Sequence, residues 1–105
     1  MITLKSDFHL HTSDDRFDDI RHTARTLISA AARKGFNVLA ITNHDTYTYN
    51  RDLHDYAADL GILLIPGIEK TIEGKHVLIL NANPLAEKIH TFGDLRRGRK
   101  DGLFK

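Results

Sequence analysis

The chain has 105 residues, of which 41% are hydrophobic and 28% charged, and it contains no cysteine. This composition predicts one globular domain with a real core, and the net charge of +1 does not favour a nucleic-acid scaffold or a strongly anionic partner. Disulfides and thiolate metal sites are excluded, so any metal must be bound by His, Asp or Glu. No apolar run reaches the roughly 18 residues of a spanning helix, and we expect a cytoplasmic protein without a membrane partner.

The first apolar run ends in an H-x-H pair formed by His9 and His11. Alternate residues of a strand point to the same side, so the two imidazoles can converge on one cation where the strand ends. Nitrogen ligands of this kind suit zinc, manganese or iron. The pair taken alone is equally compatible with two surface histidines that occur together by chance.

Two units of helix, glycine and strand follow this pair. Apolar residues with the spacing i, i+4, i+7, i+8, i+11 predict helices over residues 20–31 and 49–60, each ended by a glycine. These glycines are Gly35 and Gly61, and the residues expected to cap the first helix are Asp18 and Asp19.

Apolar runs at residues 37–42 and 62–65 predict the strands that follow the two helices. Tandem units of this kind indicate right-handed crossovers and a mostly parallel α/β sheet or barrel. A fourth strand is predicted at 76–80, after a turn at 73–75. The weaker signals beyond it are a short helix within 85–98 and the start of a further strand at 103–105.

Polar residues follow each of the first three predicted strands. His9 and His11 end the first, His44 follows the second, and Glu69 follows the third. Ligands of parallel α/β folds gather at the carboxyl ends of the strands, so a shared metal site on this rim is the economical explanation.

Each of these residues also has a structural interpretation. His44 can be a neighbour of a helix cap, because Asn43, Asp45 and Thr46 are all capping residue types. Glu69 can be a solvent-facing charge, and His76 can be a hairpin histidine near the predicted turn. We interpret the remaining histidines and the basic tail at 96–100 as solvated surface; these histidines are His22, His54 and His90.

Three segments resemble the first motifs of the PHP family, named for polymerase and histidinol phosphatase. They are DFHLHTSDD at 7–15, ITNHDT at 41–46 and IPGIE at 65–69, and the likeness covers residues 4–84. The resemblance implies a distorted (β/α) TIM-like barrel with two or three divalent ions (Mn, Zn or Fe). It also implies that Glu69 bridges two of them, and that the metal ligands are His9, His11, Asp14, His44 and Glu69.

The chain departs from the family pattern in two places. The loop after His11 is shorter than usual, so Asp14 and Asp15 compete for one ligand role. Asn43 stands where the family commonly has aspartate, which removes a charge beside His44 and would weaken a hydrogen bond that supports this imidazole.

Length is a further departure, because barrels of this kind need roughly 200 residues or more to close. The family's later ligands, a His-Pro histidine, a further His or Glu and an Asp-x-His pair, have no counterpart in 1–105. We therefore expect residues 1–105 to form a single partial PHP domain, the N-terminal half of the barrel. An unpaired strand at its edge would favour self-association.

The activity implied by the resemblance is hydrolysis of phosphate esters by metal-activated water. The expected substrate is a phosphorylated small molecule or a nucleotide, with nucleic acid as a further candidate, and no catalytic or substrate-binding residue can be assigned. Two alternatives remain: a catalytically inactive PHP-like structural or interaction module, and an amidohydrolase-like enzyme, a class that also carries H-x-H on its first barrel strand.

Overall fold

A computed structural model describes residues 2–102 and shows a mixed α/β fold, as predicted. Its elements are β1 (Ser6–Leu10), α1 (Ala24–Arg33), β2 (Val38–Ile41), α2 (Arg51–Asp59), β3 (Leu63–Ile72), β4 (Lys75–Leu80), a 3₁₀ helix (Pro84–Lys88) and α3 (Phe92–Lys100). Among these residues no helix is long and apolar enough to cross a membrane.

The four strands form one sheet in the order β1-β2-β3-β4. The β1–β2 and β2–β3 pairings are parallel, and the β3–β4 pairing is antiparallel. The expectation of a mostly parallel sheet is therefore met, and the arrangement is consistent with part of a TIM-like barrel. Because β1 and β2 run in the same direction, their carboxyl ends lie side by side, and β2 lies between β1 and β3.

Helix α1 begins four residues later than its apolar spacing predicts. The hydroxyl of Thr23 accepts a hydrogen bond from the backbone N–H of Thr26, and the helix starts at Ala24. The prediction that Asp18 and Asp19 cap α1 is wrong, because residues 12–22 form an irregular loop instead of a helical turn. The predicted end is confirmed, since Gly35 follows the helix with φ +82°.

Helix α2 is capped by Asn50, whose side chain accepts a hydrogen bond from the backbone N–H of Leu53. The residues closer to His44 that could have capped a helix therefore do not do so. Gly61 follows α2 with φ +80°, as its position in the sequence predicted.

Strand β3 is longer than the predicted run at 62–65. It continues through Pro66 to Ile72 and changes partner on the way, pairing with β2 over 63–66 and with β4 over 67–72. Gly67 lies at this change, where an added Cβ would be 3.0 Å from the Cγ2 of Thr42. The small residue therefore permits the close approach of β3 to the end of β2.

The segment after β4 contains two short helical elements instead of the single helix predicted within 85–98. Asn83 caps the 3₁₀ helix, and Thr91 forms a capping box with Asp94 at the start of α3. The further strand predicted at 103–105 lies outside the described residues.

Two apolar clusters stabilise the fold. One packs α1 and α2 against the sheet and includes the fully buried Ile28 and Ala57. The other lies between the β3–β4 hairpin and the 3₁₀ segment and includes Ile68 and Ile72. Because β3 contributes to both clusters, the position of Glu69 on this strand is fixed from both ends.

Candidate metal centre

Backbone pairing aligns the three chain segments that carry the predicted ligands. The backbone N–H of Thr42 donates to the carbonyl of Leu10 at 2.7 Å, which joins the ends of β1 and β2. His44 then forms an isolated parallel bridge with Glu69. On either side of it, the Glu69 N–H donates to the Asn43 carbonyl at 3.1 Å and the Asp45 N–H to the Glu69 carbonyl at 2.8 Å.

Three imidazoles converge on one oxygen of the Glu69 carboxylate. The Nε2 atoms of His9, His11 and His44 lie 2.8, 3.1 and 3.5 Å from Glu69 Oε1. The Glu69 side chain is only 5% exposed, whereas that of His9 is 55% exposed. The cluster therefore has a buried carboxylate at its base and opens to solvent on the side of His9.

The pKa of Glu69 reflects these neighbours. Burial alone would raise its pKa, but the contact with His9 and the nearby imidazoles of His44 and His11 together hold the pKa below its usual range. Glu69 is thus an anion at neutral pH despite its burial, which is the state required of a metal-binding carboxylate.

The aspartate that contacts both His11 and His44 is Asp15, not Asp14. Asp14 is exposed, while the Asp15 side chain is 0% exposed and its Oδ2 lies 2.7 Å from His11 Nδ1 and 3.0 Å from His44 Nδ1. Of the two competing aspartates, Asp15 is therefore the one that contacts the histidines, because the chain turns directly after Thr12 and directs residue 15 inward. The Asp15 N–H donates to the Thr12 carbonyl at 3.0 Å in this turn.

The Asp15 carboxylate is almost fully occupied by protein donors. Its Oδ1 accepts the backbone N–H groups of Phe17 and Asp18, at 2.9 and 2.8 Å, and its Oδ2 accepts that of His44 at 2.8 Å. Burial opposes ionisation, but these three N–H groups and the His11 side chain lower the pKa of Asp15 well below its usual range.

Two further residues belong to the cluster, although neither was assigned to it from the sequence. His76 Nδ1 lies 3.0 Å from Glu69 Oε2, and Asp18 Oδ2 lies 3.4 Å from His44 Nδ1. His76 reaches Glu69 because β4 pairs with β3: it lies opposite Thr71, two residues along the strand from Glu69 and on the same face. His76 is therefore both a hairpin histidine and a member of the cluster.

The side chains form three overlapping groups whose nitrogen and oxygen atoms lie close enough to hold a metal ion. These groups are His9, His11 and Glu69; His44, Glu69 and His76; and His11, Asp15, Asp18 and His44. Glu69 belongs to two of the groups, and the His11 and His44 rings stack with their centroids 4.6 Å apart. The three groups therefore overlap at His11, His44 and Glu69.

Asn43 makes its side-chain hydrogen bonds to residues other than His44, so it does not bear on the support of this imidazole as expected. It is fully buried, and its Oδ1 accepts the Thr12 N–H at 2.7 Å, while its Nδ2 donates to the hydroxyls of Thr12 and Thr48. Asn43 thus ties the end of β1 to the loop after β2, and Asp15 supplies the carboxylate beside His44.

The other histidines lie outside these groups. His54 is on α2 and His90 is exposed. His22 is also exposed, but its Nε2 lies 2.8 Å from the carbonyl of His11, so it supports the backbone beside the cluster.

Comparison with known proteins gives partial matches. No family model matches the chain. It is 36% identical over 63 residues to the PolC-type DNA polymerase III of two Staphylococcus epidermidis strains. This similarity to polymerases agrees with the resemblance of the three sequence motifs to the PHP family.

Two solved structures are similar in fold. A Bifidobacterium adolescentis protein assigned as a metal-dependent phosphoesterase has a TM-score of 0.65 and 29% identity over 79% of this chain. A Chromobacterium violaceum amidohydrolase, solved with bound sulfate and no metal, has a TM-score of 0.68 and 27% identity over 92% of this chain.

The chain spans only a part of each of these proteins. It covers 4% of the length of the polymerases and 29% and 35% of the two structural neighbours.

Proposed function

We propose that residues 1–105 form a PHP-type metal-binding half-site of a metal-dependent phosphoesterase. The observation that carries the proposal is the convergence of three Nε2 atoms, from His9, His11 and His44, on Glu69 Oε1. The Bifidobacterium phosphoesterase is similar to this chain, and sulfate, which the Chromobacterium neighbour binds, has the shape and charge of a phosphate group.

The donor set fits a divalent cation. Adjacent ligand atoms of a tetrahedral zinc site with bonds of 2.0–2.1 Å are about 3.3 Å apart, and the distances from Glu69 Oε1 to the three Nε2 atoms run from 2.8 to 3.5 Å. Imidazole nitrogen and carboxylate oxygen suit Zn²⁺, Mn²⁺ or Fe²⁺. We assign His9, His11, His44, His76 and Glu69 as the ligands that this chain supplies.

Asp15 orients two of these ligands, His11 and His44. It lies at the Nδ1 atoms of both His11 and His44, so it selects the tautomer in which Nδ1 carries the proton and Nε2 is free to bind a metal. Its three backbone hydrogen bonds keep the carboxylate in place. Asp15 is therefore a positioning residue in this proposal, and Asp14, which is exposed, has no role in it.

A divalent cation at this site would activate a water for attack on phosphorus and stabilise the charge that develops on the phosphate oxygens. The chain's own contribution is to hold the imidazoles in a fixed orientation and to keep Glu69 ionised. The exposed edge of the cluster at His9 leaves room for a phosphate group to approach from solvent.

An amidohydrolase-like hydrolase is the second candidate, supported by the fold similarity to the Chromobacterium amidohydrolase. An inactive PHP-like module, in which the cluster binds metal without hydrolysis, is the third. A substrate panel separates the three functions. The Mn²⁺-loaded chain is assayed on p-nitrophenyl phosphate, nucleoside monophosphates and p-nitroacetanilide, beside His44→Ala and the control His54→Ala.

The phosphoesterase proposal expects phosphate release that is lost in His44→Ala and retained in His54→Ala. Hydrolysis of the amide alone would favour the amidohydrolase. Tight metal binding without hydrolysis of any substrate would favour the inactive module.

A further inference from the structure

A single backbone bridge joins His44 and Glu69 beyond the end of β2. Strand β2 ends at Ile41, yet the Asp45 N–H still donates to the Glu69 carbonyl at 2.8 Å. Asp45 then turns away from the strand with φ +52°, a left-handed conformation that Asp and Asn adopt more readily than other residues with a Cβ. The position of His44 relative to Glu69 therefore depends on what holds Asp45 against β3.

The Asp45 side chain replaces the next backbone contact of this bridge. In a continuing parallel pairing, the carbonyl of residue 45 would accept the N–H of residue 71. Because the chain turns away, Asp45 Oδ1 accepts the Thr71 N–H instead, at 3.4 Å. The same oxygen lies 3.0 Å from Lys70 Nζ. One carboxylate oxygen thus holds Asp45 to two successive residues of β3.

Lys70 lies on the opposite face of β3 from Glu69, within the second apolar cluster. It is 1% exposed and alternates along the strand with Ile68 and Ile72, which belong to this cluster. Its Nζ also donates to the Glu87 carbonyl at 2.9 Å, in the 3₁₀ helix that packs on this face. Lys70 therefore links the loop after β2 to the 3₁₀ helix.

A second contact joins the same loop to the 3₁₀ helix. The Tyr47 N–H donates to the Glu87 carboxylate at 2.7 Å, and the Tyr47 hydroxyl donates to the Ala82 carbonyl at 3.1 Å. The loop that directly follows His44 is thus held on the face of β3 that points away from the histidines.

The ion pair is not the side-chain choice that burial favours. Removing an ammonium and a carboxylate from water costs free energy that their attraction only partly offsets, and apolar residues of similar volume are often at least as stable. The ion pair does fix one distance, that between Asp45 and Lys70. Because Asp45 is also bonded to the Glu69 backbone, this distance constrains His44 relative to Glu69.

We propose that Asp45 and Lys70 are positioning residues that set the distance between His44 Nε2 and Glu69 Oε1, and thereby the affinity and geometry of the metal site. That distance is 3.5 Å. Neither Asp45 nor Lys70 belongs to the three ligand groups described above, so both act through the backbone bridge. The inference rests on the metal binding proposed above and adds to it the residues that hold two of its ligands in register.

The test removes the pair without leaving a lone buried charge. The test variant is Asp45→Asn/Lys70→Met, since Asn tolerates the left-handed backbone and Met resembles the lysine stem in length. The control is Arg51→Met/Asp55→Asn, which removes an exposed ion pair from α2. Calorimetry measures the affinity for Zn²⁺, the absorption spectrum of bound Co²⁺ reports the coordination geometry, and urea denaturation measures stability.

We expect the test variant to remain folded, to bind Zn²⁺ about 10–100-fold more weakly than the wild-type chain, and to show shifted Co²⁺ absorption bands. A loss of this size is typical when a residue that supports a metal ligand is removed. The control should match the wild-type chain in affinity and spectrum. Unchanged affinity and spectrum in the test variant would overturn the proposal.

A reference variant separates positioning from overall stability. Ile28→Val weakens the first apolar cluster, which does not include Lys70. If Ile28→Val loses as much metal affinity as the test variant, the effect is one of stability and the positioning role is overturned. If the test variant does not fold, Asp45→Asn alone is judged by the same criteria, because it keeps an acceptor oxygen for the Thr71 N–H.

The failure of the positioning role and that of the proposed function give different results. In the metal-free chain, amide exchange at the Glu69 N–H, which donates to the Asn43 carbonyl, and the imidazole ¹⁵N shifts of His44 report the bridge directly. A wild-type chain that binds no metal contradicts the proposed function, while faster exchange and changed shifts in the test variant still support the positioning role. Equal metal binding by both proteins agrees with the proposed function and overturns the positioning role.

Discussion

The backbone N–H of His44 donates to Asp15 Oδ2 at 2.8 Å, and the Nδ1 of the same histidine lies 3.0 Å from that oxygen. One carboxylate thus fixes both the main chain and the ring of His44. Asp15 also lies 2.7 Å from Nδ1 of His11, so the two stacked imidazoles share one anchor. The orientation of both rings toward Glu69 depends on this single buried side chain.

Replacing Asp15 should weaken metal binding without removing a metal ligand. Asp15→Asn keeps one acceptor oxygen but places an amide N–H against backbone donors, so we expect metal affinity to fall about 10–100-fold, as for other residues that orient ligands. Calorimetry with Mn²⁺ or Zn²⁺ measures the affinity. In the metal-free protein, imidazole ¹⁵N shifts should change at Nδ1 of His11 and His44, the atoms that face Asp15.

Asp14→Asn is the matched control for this variant, because Asp14 is adjacent and exposed. Its metal affinity and imidazole shifts should equal those of the wild-type chain. A larger loss in Asp14→Asn than in Asp15→Asn would show that the ligand role belongs to Asp14 after all.

We expect His76 to be a ligand of only one of the bound ions. It contacts Glu69 Oε2 at 3.0 Å, on the opposite oxygen from the one that faces His9 and His11. We therefore expect His76→Ala to lower the number of bound ions, measured by elemental analysis after dialysis, and to leave one ion bound. Unchanged stoichiometry would place His76 outside the metal centre.

A methyl group at residue 67 should destabilise the approach of β3 to β2. The Cβ of Gly67→Ala would lie 3.0 Å from Thr42 Cγ2, and Thr42 is fully buried and cannot move aside. Overpacking of this kind costs about 1–3 kcal/mol, which urea denaturation can measure. Gly93→Ala is the control, since its Cβ meets nothing closer than 3.6 Å, and it should be neutral or slightly stabilising.

The start of α3 should lose stability in acid. The backbone N–H of His90 donates to the Asp94 carboxylate and, with Arg97 and Thr91, lowers the pKa of Asp94 below its usual value. A carboxylate whose folded pKa is depressed stabilises the fold above its unfolded pKa, near 3.9, and loses that contribution as pH falls through the folded pKa. The effect is therefore present at neutral pH and disappears below about pH 4.

Unfolding of the wild-type chain and of Asp94→Asn at a series of pH values measures this contribution. The wild-type chain should be more stable at neutral pH, and the difference should shrink as pH falls below 4. The exposed Asp19→Asn is the reference. A difference between wild type and Asp94→Asn that does not change with pH would refute the role of the Asp94 charge.

Much of the fold follows from the sequence because its periodic apolar residues are local signals. The helix–glycine–strand units, and the ends of α1 and α2 at Gly35 and Gly61, need no tertiary information. The predicted start of α1 differs from the observed one because the loop at 12–22 carries apolar and acidic residues that resemble a helical first turn. The length of β3 was missed because Pro66 and Gly67 are turn residues that here sit at a change of strand partner.

The cluster was predictable where its residues directly follow parallel strands. His9, His11, His44 and Glu69 come together as the strand order implies. Two features depend on tertiary contacts that spacing does not encode. The choice of Asp15 over Asp14 is made by the turn after Thr12, and the contact of His76 with Glu69 is made by the register of the β3–β4 hairpin.

We infer that the two histidines of the H-x-H pair, His9 and His11, bind metal. The most direct measurement is the metal content of the purified chain after loading with Mn²⁺ or Zn²⁺ and dialysis. His9→Ala/His11→Ala is compared with His54→Ala/His90→Ala, which removes the same number of imidazoles from outside the cluster. We expect bound metal in the wild-type chain and in His54→Ala/His90→Ala, and its loss in His9→Ala/His11→Ala. Equal metal content in all three proteins would contradict it.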